Sequence, residues 1–151
     1  MQDYVLIGCN FLYILHLGDN KMDNLPKKRK AELLREEYSW WKKAAFDRFG
    51  FFPIFQPLKE SFLLQKLSGN AIKLYVYLGL MSGNETGETW VSIETIAKYF
   101  DKSERTISYW LKELEKAGLI TRFQLEKDGV AHTFIRPYGS DEWDNPGSLQ
   151  K

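Results

Sequence analysis

The chain has 151 residues, 44% of them apolar and 15% aromatic, which is enough to bury a core and excludes a wholly disordered chain. Its formal net charge is only +1, so it lacks the overall basicity common in nucleic-acid binders, and charge must be weighed segment by segment. The single cysteine, Cys9, excludes an internal disulfide and a cysteine-built zinc site; it reads as a buried small hydrophobe in a cytoplasmic protein.

Residues 1–21 form an apolar leader of uncertain origin. Tyr4 to Leu17 is largely apolar but too short for a membrane span of about 20 residues. It also lacks the charged start and cleavage site of a signal peptide. The expectation is a strand or short helix packed on the core. The alternative is a natural start at Met22, where Met22-Asp23-Asn24-Leu25-Pro26 opens a polar leader into a helix.

Residues 22–67 read as a helix followed by an extended connector. Pro26 suits the first helical position. Leu34, Tyr38, Trp41, Ala45 and Phe49 fall at helical spacing, widened by Leu33, Trp40 and Ala44, with charge on the other side. Such a stripe must cover something, either the rest of the core or a second copy of the chain through the 26–49 helix. Gly50 ends the helix. Pro53 and Pro57 then make residues 51–57 extended, and Leu58 to Leu67 is a short amphipathic piece.

Residues 68–138 carry the sharpest pattern. A capped break at Ser68-Gly69-Asn70 precedes a buried helix from Ala71 to Met81. A polar loop leads to a short strand at Thr89-Trp90-Val91, in which Trp90 reads as a core anchor. Ser92 caps a helix whose apolar face is Ile93, Ile96, Ala97 and Phe100. Asp101-Lys102 is a tight connection. Ser103 caps the next helix, whose buried stripe is Ile107, Trp110, Leu111 and Leu114. Gly118 stops it, and a Schellman cap would bring Leu114 against Leu119. Two strands follow, joined at Asp128-Gly129, a two-residue hairpin signal that would set Phe123 opposite Phe134 and Leu125 opposite His132. His132 reads as a packed or half-exposed residue. Residues 139–151 are a polar tail expected to fray.

That order of helix, short strand, helix, tight turn, helix and hairpin defines the expected fold class: α+β, mostly α, a winged helix-turn-helix with an additional N-terminal amphipathic helix. In this arrangement the second helix of the pair enters the major groove of duplex DNA. Its candidate contacts are Ser103, Arg105, Thr106, Ser108, Tyr109 and Lys112, with Arg122 and Lys127 on the hairpin. Arginine suits a guanine edge or a phosphate; hydroxyls suit phosphate oxygens or base edges.

The run Trp90-Val91-Ser92-Ile93-Glu94-Thr95-Ile96-Ala97, with Ser103-Glu104-Arg105-Thr106 and the exit Leu111-Lys112-Glu113-Leu114-Glu115-Lys116-Ala117-Gly118-Leu119-Ile120, resembles the winged helix domains of plasmid and phage replication initiators. It is also similar to DnaD-type primosome proteins. The resemblance covers roughly residues 51–138 and implies a mobile-element protein that binds a DNA site to control transcription or start replication. The same motif occurs in transcription regulators of the MarR-like and GntR-like kinds.

Charge pulls the other way. Residues 68–138 hold nine Lys/Arg against nine Asp/Glu, while residues 22–67 hold ten against six, including Lys27-Lys28-Arg29-Lys30. That basic run is a solvated helix face or an arm on the DNA backbone. The neutral domain keeps open a protein–protein adaptor built on the same scaffold. No phosphate-binding glycine loop, nucleophile elbow or metal cluster stands in the sequence. The expectation is therefore a non-enzymatic protein without cofactor, metal, membrane or evident small-molecule ligand, partnered by double-stranded DNA.

Overall fold

The structure is a computed structural model that describes residues 24–127 and 129–139. The expectations for residues 1–21, for Asp128 and for the tail beyond Gly139 lie outside these residues. The chain divides into two units, residues 1–50 and 51–151.

In the first unit, α1 spans Lys27–Arg48. Pro26 is its N-cap, one position earlier than expected, and its carbonyl accepts the Lys30 N–H at 3.0 Å. No side chain caps this end, and no acid stands in its first turn. Four cations occupy a place the helix dipole disfavours; Arg29 is offset by Glu32 at 3.3 Å. Leu33 is buried. Within the single chain, Leu34, Tyr38, Trp41 and Phe49 are 44–70% exposed.

In the second unit, the proline-spaced segment 51–57 is extended at its start, as expected. The piece after it is two single turns, α2 (Pro57–Glu60) and α3 (Leu63–Lys66), broken where Phe62 takes a left-handed conformation. The remaining elements are α4 (Gly69–Met81), β1 (Glu88–Thr89), α5 (Ile93–Phe100), α6 (Glu104–Lys116), β2 (Ile120–Gln124) and β3 (Ala131–Ile135). Ser68, Ser92 and Ser103 each cap a helix, accepting the N–H three residues on. Their stripes meet in one core that includes Leu74, Leu78, Ile96, Ile107, Leu111, Leu114, Leu119 and Ile120.

Both helices of the helix-turn-helix end on a residue of positive φ. Gly118 (φ 74°) closes α6 by the expected Schellman pattern: Leu119 N–H to Leu114 O at 3.1 Å and Gly118 N–H to Glu115 O at 3.0 Å. Leu114 and Leu119 are both fully buried. Asp101 (φ 51°) does the same for α5, with Lys102 N–H on Ala97 O at 3.0 Å.

The sheet order is β1-β3-β2, all antiparallel. Two expectations fail here. The ladder pairs Phe123 with His132 and Gln124 with Ala131, so β3 is shifted by two residues from the register that an Asp128-Gly129 turn would give. The reason is the turn itself. Gly129 donates its N–H to the Glu126 carbonyl at 3.0 Å, so it ends the turn instead of occupying its centre. An even shift keeps every side chain on its expected face. Phe123 and Phe134 thus still stack, as diagonal neighbours with ring centroids 5.1 Å apart.

The second failure is Trp90, which is 65% exposed. Thr89 pairs with Thr133, and both point inward and are buried. Alternation along the strand direction then sends Trp90 to the outer face, beside His132. Trp110, by contrast, is buried in the core as expected.

Candidate nucleic-acid interface

Helix α6 presents its outward residues in a definite order. At about 100° per residue, the buried stripe Ile107, Trp110, Leu111 and Leu114 has Arg105, Tyr109, Lys112 and Lys116 directly opposite. These four are exposed, Tyr109 by 76%. They form a ridge of three cations and a phenol. Lys116 lies outside the set expected from the start of the helix, although the helical wheel alone places it on this ridge.

The other expected contacts on α6 are partly spent within the helix. Ser103 Oγ accepts the Thr106 N–H at 3.2 Å, and the two hydroxyls are 2.9 Å apart. Ser108 donates its hydroxyl to the Glu104 carbonyl at 2.8 Å. These hydroxyls retain acceptor capacity, but their first role is local.

The acids of α6 stand off this ridge, and each has its own business. Glu113 grips the cap of α4: the Ser68 N–H and hydroxyl donate to its two oxygens at 2.6 and 2.8 Å. The Lys98 ammonium is held above its ordinary range by its bond to Glu94, with a further contribution from the Glu104 carboxylate. Glu115 stabilises the charge on Arg122. The neutrality of the domain therefore conceals a separation. Cations stand on the outward ridge of α6, and acids lie roughly a quarter-turn or more to either side.

The two hairpin cations differ. Lys127 is exposed in the connecting turn. Arg122 faces inward opposite Thr133 in the ladder and donates to the Thr133 hydroxyl. Burial lowers its pKa from the ordinary arginine range, against the pull of Glu115. It is a half-buried sheet residue, set apart from the outward ridge. His132 is also half-buried, its Nδ1 2.6 Å from Glu88 Oε1.

Residues 65–120 match a family model of helix-turn-helix domains. No curated protein and no solved structure matches the chain. The match covers α4, α5 and α6 and stops at the first residue of β2. The chain therefore carries a helix-turn-helix domain, within a mostly helical α+β unit bearing a small antiparallel sheet, and a domain of this class points to DNA as the partner. Among the described residues, no helix is long and apolar enough to cross a membrane.

Proposed function

We propose that this protein is a sequence-specific binder of duplex DNA that acts by occupying its site, as a transcription regulator or replication-initiation factor of a mobile element. The observation that carries this reading is the ridge of Arg105, Tyr109, Lys112 and Lys116, directly opposite the buried stripe of α6. A helix laid in the major groove offers its outermost ridge to base edges and phosphates. The hairpin acts as a wing, with Lys127 at its tip on the DNA backbone.

A second copy of the chain joins through α1. Its exposed Leu34, Tyr38 and Trp41 supply the apolar seam. In a parallel pairing, Glu37 of one helix faces Lys42 of the other, an attractive flanking pair. Two reading helices would then address half-sites about one DNA turn apart, ~34 Å.

Selection of bound duplexes from a random library tests the reading: a recovered site with two-fold symmetry supports it. Arg105→Ala should then cost ~1–3 kcal/mol of affinity for that site. Recovery of no duplex at low salt would remove the DNA reading. Sedimentation of the full chain carrying Tyr38→Ser and Trp41→Ser tests the dimer, which should dissociate.

One observation favours a second reading, a protein–protein adaptor of primosome or plasmid type. The outer face of the sheet exposes Trp90 and Phe123, and Leu125 and Val130 are exposed near the turn. Large exposed apolar groups gathered in one region mark contact sites.

A further inference from the structure

Positive charge is unevenly placed along this chain. Residues 22–67 carry ten Lys/Arg against six Asp/Glu, whereas residues 68–138 are balanced at nine each. Part of the excess is ordered on α1. Lys28, Arg35 and Lys42 stand seven residues apart. Each step therefore returns to within about 20° of the same side and advances about 10 Å along the helix. The three form one exposed row, roughly 21 Å long.

Cations on a helix are stabilised locally by acids three or four residues away. Around Lys42 those positions hold Tyr38, Ser39, Ala45 and Phe46. Around Arg35 they hold Ala31, Glu32, Tyr38 and Ser39. The one acid among them, Glu32, bonds Arg29 instead. Among the described residues, Lys28, Arg35 and Lys42 make no ion pair. Glu36, Glu37 and Asp47 lie about 80° or more around the helix from the row. What stands beside it is the exposed Ser39. Cations with a hydroxyl among them suit phosphate oxygens. The row also lies beside the apolar stripe and not on it. A second copy seated on that stripe would share Lys42 and leave Lys28 and Arg35 open.

We propose that this row is a contact for the phosphate backbone of duplex DNA, made without regard to base sequence. A duplex strand presents a phosphate about every 3.4 Å of its axis, so the row has partners along roughly six base pairs. The inference rests on the DNA reading above and divides the work. The outward ridge of α6 chooses the site, and α1 adds the charge that the neutral domain lacks.

The test is titration of the full chain with a mixed-sequence duplex over a range of salt concentrations. Lys28→Gln with Arg35→Gln should weaken binding about tenfold or more at low salt. It should also lower the slope of log affinity against log salt by about two per chain bound. The charge-preserving pair Lys28→Arg and Arg35→Lys should bind as the unaltered chain does, which separates charge from any loss of folding. If the unaltered chain binds the duplex and the glutamine pair binds it equally, with the same slope, the row is overturned and the DNA reading stands. If the unaltered chain binds no duplex, both fall. Loss of binding to vesicles of anionic phospholipid, with duplex binding unchanged, would assign the row to a membrane surface and overturn the proposal.

Discussion

Helices α1 and α6 are written in the same code, yet they end in different states. Each sets apolar residues at helical spacing and charge on the other side. In α6 all four stripe residues, Ile107, Trp110, Leu111 and Leu114, are buried. In α1 the stripe of Leu34, Tyr38, Trp41 and Phe49 stays open. Their ends differ too. A serine caps α6 and a Schellman turn closes it, whereas α1 starts on an uncapped proline followed by four cations. Amphipathic spacing prepares a face; packing needs a complementary face from another element. For α6 that face is supplied by α4, α5 and β2.

The sharpest way to break this comparison is to shorten one leucine in each helix. Leu114→Ala should cost ~2–5 kcal/mol, because it opens a hole in a packed core. Leu34→Ala, on an exposed face, should stay within ~0.5 kcal/mol at concentrations where the chain is monomeric. Urea unfolding of both variants measures the contrast. Equal losses would mean that the α1 stripe is buried in the folded monomer.

Gly79→Ala asks whether packing overrides helix propensity within the domain. Propensity alone predicts a gain of ~1 kcal/mol from replacing a mid-helix glycine. The Phe52 ring lies where the new Cβ must go, so overpacking should win, with a net loss of ~1–3 kcal/mol. A raised melting temperature would show that the 51–57 segment yields easily.

Capping gives a smaller effect. Ser103→Ala removes the acceptor for the Thr106 N–H and should cost ~1 kcal/mol. Thermal melts compared with Ser39→Ala, on the exposed side of α1, would isolate the cap; identical melts would deny it a role. Smallest, and opposite in sign, is Asp101→Gly. A non-glycine residue at φ 51° carries local strain, so the change should raise stability by up to ~1 kcal/mol. A loss would mean that the Asp101 side chain holds the turn together.

What the sequence made legible follows the range of the interaction. Ser92, Ser103 and Gly118 could be placed because caps and stops act within a few residues. The α6 stripe could be placed because its period is local. Trp90 could not, since its facing depends on Thr89 meeting Thr133 across the sheet. Nor could the inward turn of Arg122, set by the same partner strand. No local pattern singled out Glu113. Its role on the Ser68 cap joins residues 45 apart in the chain, a separation no spacing rule reaches. The hairpin register failed for a different reason. Asp-Gly serves both at the centre of a tight turn and at its end, and only the ladder distinguishes the two.

That two-residue difference in register left the sheet faces intact, and it sets a parity rule for the hairpin. Arms lengthened or trimmed in steps of two keep Phe123, His132 and Phe134 outward and Thr133 inward. A change of one residue in either arm, unless absorbed by a bulge, would turn the aromatic outer face into the interior and expose the buried threonine. The reach of the hairpin beyond the helices is therefore adjustable in whole pairs, about 7 Å of arm at a time, with no rebuilding of the domain beneath it.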